Sequence, residues 1–390
     1  MPPPSMYRSL RLVTVSLIVF CVFSALTIVY GNHQNGFRNL FYHTGNTTNQ
    51  DAAKDFKVKP ESLKDVTNST LGFEKVFVIN LPERTDKLDQ FAIVSSLTGF
   101  KADVIEGVKG SEVKNKSLPA LEGLPIKESS RNNIVGCWRA HLNFAQTIVT
   151  NRLSSALVLE DDADWDTHLK DQLQEFAYGS QFVTGVTSRQ EPHSPYGDDW
   201  DLLWLGHCSC RIKPDDPRRL VIENDATVPA AKRRANFGAI PNMNEEGYDN
   251  HTRVVFQANG GVCLYAYALS YRGALRVLRA QALRKTFTPI DIGISQMCGS
   301  EETEFKCVGV FPQIIDSHKA AGRLSRDSDI GSYSPQEYRE RGYTFNIVHS
   351  MRLNMDRLLA NNEAPIERQW PEDPLVVGQP RLRPLGRVVN

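Results

Sequence analysis

Ala156-Leu-Val-Leu159 is an apolar run that passes without a spacer into Glu160-Asp161-Asp162-Ala163-Asp164-Trp165-Asp166, five acids in seven positions. An apolar run with no polar alternation is the pattern of a strand buried on both faces. The acids follow directly, so they stand at the C-terminal end of the expected buried strand. Open α/β sheets bind ligands at that end. Clustered carboxylates repel and resist ionisation unless a cation offsets them, and hard oxygen donors suit Mg²⁺ or Mn²⁺. Asp161, Asp162 and Asp164 are therefore the expected metal ligands. The alternative for Asp164 and Asp166 is to cap the next helix, and for Asp166 capping is the preferred reading.

Strand and helix patterns alternate around this run. Lys75–Leu81 is a second buried strand, and Pro82, Glu83, Thr85 and Asp86 start a helix that Gly99 stops. A strand is expected at about 101–105. From Ile134 apolar residues recur at helical spacing through Val149, and His141 lies beside that face. Strands are also expected at 201–205, 261–265 and 305–311, with a helix at 271–283. This rhythm implies βαβ units and a mostly parallel sheet. The polar stretch Ser209–Arg253 interrupts it and reads as an insertion or functional loop.

The ends carry different information. Leu12–Tyr30 is uncharged and 19 residues long, enough for one membrane span. Arg8 and Arg11 precede it and no acid occurs before Asp51, which keeps residues 1–11 cytoplasmic and sends the rest to the lumen. A cleaved signal peptide competes, but its apolar region usually runs about 7–15 residues. Residues 31–70 read as a lumenal stem, 71–345 as the catalytic domain and 346–390 as an extension with a Pro-rich tail from about 364. Sequons begin at Asn46, Asn68, Asn115 and Asn250 and agree with a lumenal address, in the ER or Golgi. The chain has 45 basic and 45 acidic residues, so no global basic field exists to bind nucleic acid. Cys21 lies in the span, and the other six cysteines allow 15 pairings. Cys298 with Cys307 is the pairing expected first; Cys137 on an apolar helix face also fits a free buried thiol.

Three blocks in order, Val78-Ile-Asn-Leu81 with Arg84 and Asp86, Gly136-Cys-Trp-Arg-Ala-His141, and Leu157-Val-Leu-Glu-Asp-Asp162, resemble the family 25 glycosyltransferases. That family includes lipopolysaccharide and procollagen galactosyltransferases. Tyr267–Ser270, Gly273-Ala274 and Pro289-Ile-Asp291 are similar to its later blocks, so the resemblance runs from about Lys75 to Asp329 and is that of a membrane-anchored eukaryotic member. It implies an α/β GT-A-type, Rossmann-like nucleotide-sugar-binding domain, a UDP-sugar donor with galactose favoured, a divalent metal with Mn²⁺ ahead of Mg²⁺, and a glycan or glycoprotein acceptor. It also implies inversion. Carried over, Asn80, Arg84, Asp86, Glu160 and Asp161 line the donor pocket, and Asp161 and Asp162 meet the metal; Asp162-Ala-Asp164 spells a D-x-D pattern. Ala140 stands where the family commonly has Ser before His141, which leaves His141 open between substrate contact and core histidine. An inverting displacement needs a general base; Asp291 is the candidate, with helix capping as its alternative. His318 after Ser317 is a possible late ligand, Arg323 and Arg326 are candidates to face phosphates, and Trp165, Trp200 and Trp204 candidates to stack on sugars, with Trp204 better read as core. Two other classes remain: a glycan-binding pseudoenzyme on the same fold, and a metal-dependent phosphohydrolase.

Overall fold

A computed structural model describes residues 60–120, 128–187, 191–235, 251–329, 336–360 and 365–386. The expected span Leu12–Tyr30 and most of the expected stem lie outside them. Among the described residues no helix is long and apolar enough to cross a membrane.

In chain order the elements are β1 (Lys75–Asn80), α1 (Thr85–Thr98), β2 (Asp103–Glu106), α2 (Glu128–Asn151), β3 (Ser155–Glu160), β4 (Ala163–Trp165), α3 (Leu169–Val183), β5 (Leu202–Gly206), β6 (Ser209–Ile212) and β7 (Arg219–Glu223). There follow β8 (Arg253–Val262), β9 (Ala266–Ser270), α4 (Tyr271–Ala282), α5 (Ile290–Gly299), β10 (Cys307–Phe311), β11 (Ile315–Ser317), β12 (Gly322–Arg323), β13 (Tyr338–Arg339), α6 (Met355–Leu359) and β14 (Arg381–Leu385). Ten strands make one mixed sheet in the order β14-β7-β8-β10-β5-β9-β3-β1-β2, with β6 joined to β8. Seven of the ten point the same way, as the alternation implies, while β8, β9 and β14 run against them. Because two of the reversed strands lie inside the order, six of the nine pairings are antiparallel.

The apolar runs are buried on both faces, and successive side chains serve different cores. Val76, Val78, Leu157, Leu159, Leu203 and Leu205 join a cluster with α1 and α3, while Phe77, Ala156, Val158, Leu202 and Trp204 join one with α2, α4 and α5. Each of the Val, Leu and Phe side chains among them, when fully buried, contributes roughly 1.5–3 kcal/mol. Helix α1 ends at Gly99 in the left-handed conformation. Gly136 lets α2 meet the loop after β2, since a Cβ there would lie 2.1 Å from the Val108 carbonyl oxygen.

Three expectations need correction. The strand expected at 261–265 is split: β8 ends at Val262, and β9 begins at Ala266. Cys263 between them has φ 63° and is bonded to Cys208, so the chain turns where apolar content alone reads as continuous strand. The insertion from Ser209 is not simply a loop, because β6 and β7 both pair with β8. The fold also continues past residue 345: buried Asn346 bonds Asp316 of β11, buried Ser350 and Arg352 bond β4, and the Pro-rich tail returns as β14 along β7. Cys298 is bonded to Cys307, as expected, while Cys137 and Cys210 are free.

Candidate functional site

The site lies where β1 and β3 end side by side, Ile79 opposite Glu160. Asn80, the last residue of β1, is buried and donates one side-chain amide to Asp161 Oδ2 at 2.8 Å and to the Arg84 carbonyl at 3.0 Å. That second bond fixes the turn into α1 and aims its first residues back at the acids. The Arg84 guanidinium meets Asp86 at 3.0 and 3.1 Å and Asp329 at 2.5 Å, and donates to the Arg326 carbonyl. Asn80, Arg84, Asp86 and Asp161 are thus brought together, with Asp329 and Arg326 arriving from far along the chain.

Lys87, one residue past Asp86, did not emerge from the sequence as a site residue. Its ammonium lies 3.2 Å from Asp161 Oδ1, 3.6 Å from Asp162 Oδ2 and 3.8 Å from Asp329. The signal was its place three residues after Arg84, on the same helix face. Burial pushes Asp161 up to about 6, with repulsion from Asp162 adding and the Lys87 charge opposing. For Asp162 burial also acts upward, but Lys87, Lys319 and Arg352 outweigh it and the net direction is down. Asp162 Oδ1 is buried with no hydrogen-bond partner. A buried anionic oxygen without a donor, beside a second carboxylate, is a donor set that a hard divalent cation fits.

Asp164, the third expected metal ligand, is placed differently from Asp161 and Asp162. It is fully buried, and its carboxylate accepts from the Trp165 and Arg352 amides and from Thr344 and Ser350 hydroxyls, at 2.9, 3.2, 2.5 and 2.5 Å. It anchors residues 344–352 beneath the site. Arg352 then reaches back to the carbonyls of Asp161 and Ala163 at 2.7 and 2.9 Å, holding the acidic turn from below. No local motif announces Thr344, Ser350 or Arg352; long-range packing alone brings them here.

His318 follows β11, which pairs with β4, so its backbone N–H donates to the Asp162 carbonyl at 2.8 Å. Its ring faces Thr344 at 2.8 Å and Asp164 at 3.6 Å. His141 is 2% exposed, with Nδ1 3.1 Å from the Tyr267 hydroxyl and Nε2 3.5 Å from Glu160. It is a hydrogen-bonded core histidine that touches a site carboxylate. Asp291 lies in the first turn of α5, not at its cap, which is Pro289; its Oδ2 accepts from the Cys263 amide at 3.1 Å. Glu160 and Asp291 both press electrostatically on the Tyr265 phenol, whose pKa burial drives upward. The two carboxylates therefore flank one neighbourhood. Trp165, Trp200 and Trp204 are all buried in the core and present no face to a sugar. Arg326 is exposed and pairs with Asp86 at 3.6 Å.

A second group, Asp166, His168 and His349, gathers on the far side of β4 from sequence-distant positions. Asp166 does not cap α3, whose N-cap is His168 with no side-chain cap bond; its carboxylate accepts from the His168 amide at 3.1 Å, one residue before the helix.

No family model matches the chain. Among curated proteins it is 25% identical over 265 residues to procollagen galactosyltransferase 1 of Danio rerio, covering 65% of this chain and 36% of that protein. It is 26% identical over 265 residues to a Bos taurus protein named "Probable inactive glycosyltransferase 25 family member 3", covering 66% and 37%. Procollagen galactosyltransferase 2 of Homo sapiens is 24% identical over 159 residues, 39% of this chain and 23% of that protein. The matches span about a third or less of these relatives' length. The curated relatives are thus glycosyltransferase 25 family members, the family that the blocks at Val78, Gly136 and Leu157 resemble.

Proposed function

We propose that this chain is an inverting, metal-dependent glycosyltransferase that moves a hexose, galactose first, from a UDP-sugar to a glycan or glycoprotein acceptor. The observation that carries this reading is the unpartnered, buried Oδ1 of Asp162 beside Asp161 at the end of β3, in a chain similar to procollagen galactosyltransferases. Asp161 and Asp162 would hold the cation, and the cation when bound would stabilise the departing diphosphate as a Lewis acid. Arg84 and Arg326 stand at the rim to offset the remaining phosphate charge. Asn80 and Arg352 keep the acidic turn in place. The acceptor oxygen attacks the anomeric carbon from the face opposite the nucleotide, the bond to the diphosphate oxygen breaks with its electron pair, and the hydroxyl proton passes to Asp291. Glu160, whose carboxylate lies 3.5 Å from His141 Nε2, lines the donor pocket. The lumenal, membrane-anchored address remains part of the proposal and rests on Leu12–Tyr30.

One observation favours a second reading, a glycan-binding protein without turnover. Lys87 already supplies positive charge to Asp161 and Asp162, and a matched relative is named inactive. A panel of UDP-sugars with Mn²⁺ separates the two. Turnover that requires Asp162 supports the transferase; donor binding without turnover supports the second reading, and release of inorganic phosphate from phosphoesters would replace both with a hydrolase.

A further inference from the structure

Asp166, His168 and His349 offer one carboxylate and two imidazoles whose ligand atoms all lie within 4.8 Å of one another. His168 Nδ1 is 2.8 Å from Asp166 Oδ1, and His349 Nδ1 is 3.3 Å from Oδ2. Both rings point the same nitrogen at one fully buried carboxylate. The backbone enforces this: the His168 and His349 amides donate to the two oxygens at 3.1 and 2.8 Å, and the Thr167 amide donates to the His349 carbonyl at 2.9 Å. The carboxylate is 0% exposed, while the His349 and His168 side chains are 17% and 50% exposed. One side of the group is therefore sealed and the other open to solvent.

We propose that Asp166, His168 and His349 form a zinc site with one open position, separate from the all-oxygen site at Asp161 and Asp162. Two imidazole nitrogens and a carboxylate oxygen suit Zn²⁺ far better than Mg²⁺. Bond lengths of about 2.0–2.2 Å in a tetrahedron place neighbouring ligand atoms roughly 3.3 Å apart. The observed separations are 2.8 Å from His168 to Oδ1 and 3.3 Å from His349 to Oδ2, and the three ligand atoms, all within 4.8 Å of one another, would close on the ion by a shift of the two exposed-side rings. Binding moves any proton on each Nδ1 to Nε2 or to solvent, and water completes the fourth position on the open side. The ion would tie the exit of β4 and the start of α3 to residues 344–352, the segment that supports the acidic turn.

The test uses the full chain, stripped with a chelator and titrated with Zn²⁺ against a chromophoric indicator, with Co²⁺ as a spectroscopic substitute. One Zn²⁺ per chain is expected to survive in Asp162→Asn and to produce visible Co²⁺ bands typical of a low-coordinate nitrogen–oxygen site. His349→Ala should weaken Zn²⁺ binding by about 100-fold or more. Because that ring is partly buried, His168→Ala, on the exposed side, should show the same loss with an unchanged circular dichroism spectrum. The proposal fails if the folded wild-type chain takes up no Zn²⁺, if His168→Ala binds it equally well, or if the bound ion is lost in Asp162→Asn instead.

Discussion

Asp161 and Asp162 on one side, and Asp164 and Asp166 on the other, come from a single six-residue stretch and have opposite fates. Asp161 is held protonation-prone, and Asp162 keeps a buried oxygen with no partner. Asp164 accepts from donors in residues 344–352, and Asp166 from the His168 and His349 amides. For both, hydrogen bonds and nearby cationic groups outweigh burial and hold the carboxyl below its ordinary value. The division follows from local geometry. Residues 161 and 162 form the turn between β3 and β4, so the two-residue strand period begins again at Ala163 and D-x-D spacing does not place its acids together. The unserved oxygen of Asp162 is the one left free for the proposed cation, while the carboxylate of Asp164 is committed to its donors.

The strongest way to break this contrast is to remove the served acid. Asp164→Ala leaves two hydroxyls and two amides without an acceptor and Arg352 without one of the carboxylates that balance its buried charge. Loss of one partner from such a buried network costs roughly 3–5 kcal/mol. Urea unfolding should show that loss; a cost under about 1 kcal/mol would mean that Asp164 is not the anchor of residues 344–352. Asp162→Ala is the counterpart. It should change stability little, since Lys87 keeps Asp161 and Asp329 as partners, while transfer from the accepted UDP-sugar falls about 10²–10³-fold, the scale of removing one preorganised electrostatic group. Undiminished turnover in Asp162→Ala would dismantle the proposed metal site.

The legible part of the molecule was the part built from local pattern. β1, α1, α2, β3, β5, α4 and β10 follow from apolar runs and helical spacing, because burial on two faces leaves a strong one-dimensional signature. Asp161 was legible at the end of such a run, whereas Asn80, Arg84 and Asp86 were reached only through the family resemblance of their block. Thr344, Ser350 and Arg352 were not. They act through contacts across about 180 positions of sequence with Asp164 and its neighbours, and no short spacing encodes such a partner. Ignorance of that segment is also why Asp164 reads as a ligand in the sequence: its donors are invisible there. The reversed strands β8 and β9 were missed for a related reason, since an apolar run does not reveal a turn held by a disulfide at Cys263.

Lys87 tests the contrast from the cation side. If its ammonium competes with a divalent ion for Asp161 and Asp162, Lys87→Met should tighten Mn²⁺ binding by roughly tenfold, near one partly buried charge pair. A weaker Mn²⁺ affinity in the variant would instead make Lys87 a support of the site. Its removal also takes away the charge that opposes the upward shift of Asp161.

The smallest expected effect is in pH, and it reads the two halves with opposite sign. With Asp161 at about 6, about half the sites are protonated at pH 6, so Mn²⁺ affinity there should be about half its value at neutral pH and fall further in acid. For stability, the folded pKa of Asp161 lies above the unfolded value; its contribution is full below about pH 4 and is lost as pH rises through about 6. Asp164 has a lowered folded pKa, so its contribution is present above the unfolded value and is lost as pH falls through the folded one. Asp161→Asn should therefore flatten the stability curve between pH 4 and 6, where the Asp161 contribution is lost, and leave the acid limb below about pH 4 in place. In Lys87→Met the metal-binding midpoint should move above 6, because burial and Asp162 then act on Asp161 without that counter-charge. A midpoint that stays put would show that Lys87 does not set the ionisation of Asp161 and that the pair at 3.2 Å is exchanged for solvent.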